Sequence, residues 1–368
     1  MTSVTKQRNT NLDLLRIVSM LLIVFLHSID HSGVLENAEN CGANMYFYVR
    51  FTYALCQVCV NIYIMLSGYF MINSKFRLHK LVVLWMEAAF YSFVLKGLFI
   101  VLGLDEFSII SLASCFFPIL TGRYWFLTIY VGMYLISPFL NVLIRALDRK
   151  QHGLLNLCLF VIMSLWSSIH PAISGMNSGG GWGLAWFVVL YIAAAWFRLY
   201  YTPNRKPVRW LLGYTAIPLL IAALQMAARE WDIGIMQKIL SNWFRYDSAP
   251  VYLMTLSLFV GFLNVQIRGA GLSRLICTVA PLTLGVYLIH AHANVSPWSW
   301  EMLRLPEKMD SNLFPLIQLG AVLAIFWICT LLDALRKVTI GRLEQSGRLI
   351  HMFDWVTVRI QIFLNAFQ

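Results

Sequence analysis

NLDLLRIVSMLLIVFLHSIDH, residues 11–31, is an apolar run long enough to cross a bilayer, yet it contains Asp13, Arg16 and His27. An ionisable group inside a spanning helix is costly, so each is a candidate functional residue. Three helical turns plus roughly 20° separate Arg16 from His27, which places both on one face, about 16 Å apart along the axis. Asp13 lies one turn before Arg16, near the same stripe. The spacing therefore predicts a helix with a cation near one membrane surface and an imidazole near the other.

Each of these residues alone has a simpler interpretation. The Arg16 side chain can extend to the lipid headgroups, and His27 can lie in the opposite interface. The alignment of the two, with Asp13 beside Arg16, favours a functional site over that interpretation.

The composition is that of an all-α, polytopic membrane protein. Of the 368 residues, 59% are hydrophobic and only 12% are charged, and long apolar segments recur along the chain. The net charge of +11 does not indicate nucleic-acid binding, because the basic residues are scattered in short loops. About ten transmembrane helices are predicted, at residues 12–29, 46–72, 81–103, 124–144, 154–170, 183–200, 211–227, 249–266, 275–293 and 312–334.

The loops between these segments alternate in charge, and this alternation predicts the topology. One set is short and basic, whereas the other is longer and holds most of the acidic residues. By the positive-inside rule both termini are cytoplasmic, so Arg16 lies toward the cytoplasm and His27 toward the outer side. Residues 1–334 form the ten-helix transmembrane domain in this prediction. Residues 335–368 form an amphipathic cytoplasmic tail that lies on the membrane.

The cysteines do not form a metal-binding set. Cys56 and Cys59 are spaced as CxxC, but they lie within an apolar helix and no second pair accompanies them. Cys41 and Cys115 fall in predicted outer loops, where a disulfide can persist, and we predict that they lie close enough to pair.

The third span contains two further charged residues, Glu87 and Lys96. They form either a second polar site inside the membrane or a pair of end-of-helix groups, and the sequence does not separate these two alternatives.

Several short motifs, taken in order, resemble the membrane acyltransferase-3 family. The first helix carries the Asp-x-x-Arg opening and the Arg-x10-His pair already described, and the other matching pieces cover most of the spans. In many members an Arg-x-x-Arg follows the second span, whereas this chain has Lys80 at the second position. The matching pieces are Ser67-Gly68-Tyr69, Arg77 with Lys80, Tyr124-Trp125-Phe126-Leu127, Ser137-Pro138-Phe139 and Gly285-Val286-Tyr287-Leu288-Ile289-His290.

This resemblance implies a multi-pass enzyme of the bacterial inner membrane that transfers an acyl group to a sugar hydroxyl. The donor would be cytoplasmic acyl-CoA, usually acetyl-CoA, with no permanently bound cofactor or metal. The acceptor would be a cell-surface polysaccharide or its lipid-linked precursor, the bilayer would be the other partner, and nucleic acid would have no part. The implied catalytic residues are His27, Arg16 and Asp13, those for the donor are Arg16, Arg77 and Lys80, and those for the acceptor are Tyr124, Trp125 and His290.

Residue chemistry accommodates this function but leaves the mechanism open. A sugar hydroxyl is a poor nucleophile at neutral pH, and histidine is the commonest general base. His27 either deprotonates the hydroxyl directly or becomes acylated and relays the group. His290 is a further candidate, as a proton partner or a substrate ligand.

Two functions from other classes compete with acyl transfer. A lipid-linked glycan polymerase or flippase would have one large outer loop, and no loop here exceeds roughly twenty residues. A small-molecule transporter would use the charged residues as a polar path, but the chain lacks strong internal repeats.

Overall fold

The computed structural model describes residues 9–169 and 178–341, together with Trp355, Val358 and Arg359. Every regular element in these ranges is helical. Ten helices match the predicted spans in position, and we number them α1 to α10. They are α1 Thr10–Asp30, α2 Ala43–Met71, α3 His79–Val101, α4 Trp125–Ala146, α5 Arg149–Ile169, α6 Leu184–Tyr200, α7 Val208–Glu230, α8 Ala249–Asn264, α9 Ala270–His290 and α10 Phe314–Thr339.

Eight of these helices are long and apolar enough to cross a membrane. The other two, α6 and α8, are apolar but have only 17 and 16 residues. The polytopic helical fold is therefore confirmed, whereas the count of ten crossings and the cytoplasmic placement of the termini stay predictions.

The helix α1 lies at the centre of the bundle. Within the most apolar 18-residue stretch of each helix, 61% of the residues are buried in α1 and 67% in α2, but only 28% in α3, α4 and α10. Apolar side chains on those outer helices are exposed, for example Leu135 on α4 and Leu331 on α10, as expected for surfaces that face lipid. The stripe that carries Arg16 and His27 therefore faces the interior of the bundle, where it lines the cavity described below.

Glycines from two of the motifs allow close packing around this centre. A Cβ atom added at Gly68 on α2 would lie 2.9 Å from the Cα atom of Tyr191 on α6. One added at Gly285 on α9 would lie 2.5 Å from the Cβ atom of Asp333 on α10. Since real side chains do not approach so closely, both contacts require glycine.

Three of the helices are irregular: α5 contains a π-helical segment at Val161–Leu165, and α2 and α9 are interrupted. The backbone of α2 breaks at Gln57 and Val58, between Ala43–Cys56 and Cys59–Met71. In α9, a 3₁₀ turn at Ala280–Leu282 separates Ala270–Val279 from Thr283–His290. Irregular backbone at membrane depth is tolerated where it is buried or lines a cavity, and both breaks lie beside the cavity described below.

The last helix extends beyond its predicted end. It continues through residue 335, where we predicted the tail to begin, as far as Thr339. Arg336 is buried in it rather than lying in a surface tail, because Glu87 on α3 and Asp333 on α10 neutralise its charge. Most of the predicted tail lies outside the described residues, so the tail stays a prediction.

The predicted disulfide is wrong, because Cys41 and Cys115 are both free thiols. Each Sγ atom donates to a carbonyl one turn earlier, Cys41 to Asn37 at 3.4 Å and Cys115 to Ser111 at 3.3 Å. The shared compartment predicted for the two loops says nothing about their distance, and these local bonds satisfy both thiols.

Candidate active site

A cavity of about 660 Å³ opens along the polar stripe of α1. Arg16 and His27 both line it, as the helical spacing predicts, and Met20 and Ile23 line it between them. Residues from α2, α4 and α9 form much of the remaining wall. These include Gln57, Cys59, Tyr63, Trp125, Phe126, Tyr130, Thr283, Leu284 and Tyr287.

A second cavity, of about 350 Å³, adjoins the first at Arg16. Five residues line both: Arg16, Tyr63, Ser67, Leu84 and Tyr130. The larger cavity extends from these shared residues to His31, at the end of α1. The smaller cavity extends to Ser74 and Lys80, which follow Met71 at the end of α2. We call the two spaces the histidine chamber and the lysine chamber.

His27 is held by a second histidine behind the wall of the histidine chamber. The Nε2 atom of His290 lies 3.1 Å from the Nδ1 atom of His27, and the Nδ1 atom of His290 lies 2.6 Å from the carbonyl oxygen of Val286. A carbonyl oxygen only accepts, so Nδ1 of His290 carries a proton. In the neutral ring Nε2 of His290 is then the acceptor, and His27 donates to it through its Nδ1–H group. Nε2 of His27 is therefore left with a lone pair.

His31 extends this pair. It lies one helical turn after His27, and the two rings stack with centroids 4.2 Å apart and planes 16° apart. Its Nδ1 atom lies 3.1 Å from the Oγ atom of Ser296. His31 therefore covers one face of the His27 ring and restricts its rotation.

Arg16 is oriented by Asp13, as their spacing predicts. Its Nη1 group donates to the Oδ1 atom of Asp13 at 3.3 Å, and Asp13 is buried. The hydroxyl of Tyr63 donates to the backbone carbonyl oxygen of Arg16 at 3.2 Å and ties α1 to α2 there. Arg16 is only partly buried, so it presents a guanidinium group to both chambers.

Arg77 and Lys80, the two candidates for donor binding that follow α2, are placed differently. Lys80 lines the lysine chamber together with Arg16. Arg77 is exposed and lines neither chamber, and its backbone N–H and carbonyl groups both bond to the Tyr134 hydroxyl at 3.1 Å. Lys80 is therefore the better placed of the two to meet a ligand in this chamber.

The acceptor candidates Tyr124 and Trp125 also separate. Trp125 lines the histidine chamber, whereas Tyr124 is 2% exposed and lies outside the lining described above. The Tyr124 hydroxyl donates to the carbonyl oxygen of Leu288 at 2.9 Å. Tyr124 thus fixes the end of α9 that carries His290, and His290 lies behind His27 rather than in the wall.

Glu87 and Lys96 take part in two separate structural contacts. Glu87 forms a buried ion pair with Arg336 at 2.8 Å, next to the 2.8 Å pair between Arg336 and Asp333. Lys96 pairs with Asp105 in the loop that follows α3. Hydrogen bonds from Lys96, and secondarily from Asn294, lower the pKa of Asp105. The two residues therefore do not form one site: Glu87 belongs to a buried polar cluster with Arg336 and Asp333, whereas Lys96 pairs with the loop at the end of α3.

Other residues of the histidine chamber were missed by the sequence reasoning. Arg123 precedes α4, Trp182 lies in the glycine-rich loop before α6, and Arg245 and Tyr246 lie in the loop before α8. The one sequence signal for them is the glycine-rich stretch at 178–183, which indicates an irregular loop.

A family model described as an acyltransferase domain matches residues 9–334 of the chain. No significant match was found among curated proteins or among solved structures. The family model spans α1 to the greater part of α10, and so includes both chambers and every candidate site residue named above. The chain belongs to the acyltransferase-3 family of membrane acyltransferases.

Proposed function

We propose that this membrane acyltransferase moves an acetyl group from acetyl-CoA to a sugar hydroxyl of a cell-surface polysaccharide or its lipid-linked precursor. We place it in the bacterial inner membrane, with the lysine chamber toward the cytoplasm. Membership of an acyltransferase family favours this function over a glycan polymerase, a flippase or a transporter.

The hydrogen-bonded pair of His27 and His290 is the observation that carries the proposal. With His290 as acceptor, the lone pair on Nε2 of His27 is available to take a proton. An alcohol needs such a base to attack a thioester at neutral pH. Because His27 lines the same chamber as Trp125, an acceptor bound there would meet the base.

Two reaction sequences fit this pair. In the first, Nε2 of His27 takes the hydroxyl proton while the sugar oxygen attacks the thioester carbonyl. The C–S bond then breaks, and CoA leaves as a thiolate that receives the proton. In the second, Nε2 itself attacks the thioester carbonyl, the C–S bond breaks, and CoA leaves as a thiolate. The sugar oxygen then attacks the acyl group, the bond from that group to Nε2 breaks, and the hydroxyl proton passes to the freed Nε2 and from there to the thiolate or to water.

Arg16 supports the donor side of the proposal. It lies between the two chambers and carries a positive charge that Asp13 orients from one side. A guanidinium group there would stabilise the negative oxygen that develops on the thioester carbonyl, or hold a phosphate of CoA. Lys80, at the far end of the lysine chamber, would bind the phosphates of the nucleotide.

The test uses purified protein, radiolabelled acetyl-CoA and surface polysaccharide extracted from a strain that lacks this chain. That polysaccharide is the acceptor in its unmodified form. We expect label to enter the polysaccharide, and mild alkali to release it as acetate, because an ester is formed. Labelled protein, or labelled lipid that carries no glycan, with unlabelled polysaccharide would contradict the acceptor class, and no consumption of acetyl-CoA would contradict the donor.

A further inference from the structure

Three aromatic rings from separate segments meet in the wall of the histidine chamber. The ring centroids of Trp125 and Trp182 are 4.3 Å apart, those of Trp182 and Tyr246 are 5.6 Å apart, and those of Trp125 and Tyr246 are 6.4 Å apart. Trp125 begins α4, Trp182 precedes α6 and Tyr246 precedes α8. We call these three residues the aromatic platform.

The two loops that carry Trp182 and Tyr246 are fixed to each other by Asp247. This carboxylate is fully buried and accepts bonds from Nε and Nη2 of Arg245, at 3.0 and 2.9 Å. It also accepts a bond from the hydroxyl of Ser178 in the glycine-rich loop. Charge-assisted bonds of this kind are strong, so the aromatic platform is ordered without a ligand.

Gly181 brings the loops into direct contact. Its φ angle is +88°, and an added Cβ atom would lie 2.5 Å from the Cβ atom of Tyr246. No other residue type fits this conformation and this contact together. The backbone of Tyr246 is held as well, because Asn61 on α2 donates to its carbonyl oxygen at 2.8 Å.

The aromatic platform faces the cavity rather than lipid. Tryptophans commonly lie at the membrane interface, and Trp231, 72% exposed at the end of α7 and outside both chambers, has the exposure expected of such a residue. Trp182 is 52% exposed, yet it lines the same chamber as His27 and packs against Trp125 and Tyr246. Polar groups line the same chamber, among them Arg123, Gln57 and Asp30.

We propose that the aromatic platform, with Trp182 as its exposed member, is the subsite that binds a pyranose ring of the acceptor. The C–H groups on one face of a pyranose pack on flat aromatic rings, and the surrounding polar groups bond to its hydroxyls. Binding there holds a hydroxyl within the chamber of His27. This inference rests on the proposed function and adds the residues that select the acceptor.

The test compares Trp182→Phe with Trp182→Leu in the purified enzyme. Acetyl-CoA is the donor and the extracted, unmodified polysaccharide is the acceptor. Phenylalanine keeps a flat ring, whereas leucine keeps only apolar character. We expect leucine to raise the KM for polysaccharide about three- to tenfold, the range of one aromatic stacking contact, and phenylalanine to raise it less. The KM for acetyl-CoA should stay unchanged in both variants, and Trp231→Leu should behave as the wild type.

Equal KM values for polysaccharide in the leucine, phenylalanine and wild-type enzymes would overturn the subsite, because an interfacial tryptophan needs only apolar character. If Trp182→Leu fails to fold, oxidative footprinting of the wild type decides instead. Polysaccharide should protect Trp182 but not Trp231, and equal oxidation of Trp182 with and without polysaccharide would overturn the proposal. Failure of the proposed function is distinguishable, because the wild type would then transfer no acetyl group to polysaccharide.

Discussion

His27 on α1 donates a 3.1 Å hydrogen bond from its Nδ1–H group to Nε2 of His290 on α9, and this bond sets which nitrogen of His27 carries a lone pair. The two residues are 263 positions apart in the chain. The bond therefore depends on how α9 packs against α1.

His290 should act as a positioning residue through this bond. His290→Gln keeps a side-chain oxygen that accepts from Nδ1 of His27, whereas His290→Leu leaves the N–H group of His27 unsatisfied. We expect kcat to fall about a hundredfold with leucine and clearly less with glutamine, since a general base contributes at least this much. The measurement is kcat and its pH profile at equal amounts of folded enzyme.

Rescue by glutamine together with a displaced pH profile in the leucine variant separates this role from a purely structural one. Equal losses of kcat in both variants, with an unchanged pH profile, would contradict the claim that His290 sets which nitrogen of His27 carries the proton.

Arg16→Lys should impair transfer although it keeps the charge. The planar guanidinium bonds to Asp13 and still presents further N–H groups to both chambers, and an ammonium group cannot reproduce that fork. We expect kcat/KM for acetyl-CoA to fall at least about tenfold, the loss of one charge-assisted hydrogen bond. Wild-type kinetics in Arg16→Lys would indicate that Arg16 only extends to the lipid headgroups.

Lys80→Ala should raise the KM for acetyl-CoA more than Arg77→Ala does. Both side chains are exposed, but Lys80 lines the lysine chamber and Arg77 lines neither chamber. Since a phosphate contact weakens with ionic strength, the difference between the two variants should shrink as salt is added. Titrating acetyl-CoA at two salt concentrations measures this difference in KM. A rise in KM with Arg77→Ala that equals or exceeds the rise with Lys80→Ala would contradict the placement of the donor.

Gly285→Ala should destabilise the protein, because the new methyl group would overlap Asp333 and separate α9 from α10. Overpacking of this kind costs about 1–3 kcal/mol. The matched control is Gly271→Ala on the same helix, where an added Cβ atom meets no atom within 4 Å. Thermal unfolding in detergent should show a lower midpoint for Gly285→Ala only, and equal midpoints for the two variants would refute the packing argument.

The sequence reasoning succeeded where the information lies within one helix. The alignment of Arg16 with His27, and of Asp13 with Arg16, follows from helical periodicity and needs no knowledge of the neighbours. Apolar length likewise located the membrane helices.

Contacts between segments that are distant in the sequence determine the side-chain positions that were not predicted. Tyr124 and Trp125 are adjacent, yet one bonds to Leu288 and the other faces the cavity, and no local pattern distinguishes them. Arg336 was assigned to the tail, because its acidic partner Glu87 lies on a distant helix. Trp182 and Tyr246 lie on loops, where periodicity gives no direction for a side chain.

The most direct test of the account is acetyl transfer by a His27→Ala variant. Purified wild-type and variant enzymes, matched for folded protein by thermal unfolding, are given labelled acetyl-CoA and the unmodified polysaccharide. Both proposed reaction sequences require Nε2 of His27, so the variant should transfer no measurable acetyl group while its unfolding midpoint stays near that of the wild type. Wild-type labelling of the polysaccharide by folded His27→Ala would contradict the mechanism in either form.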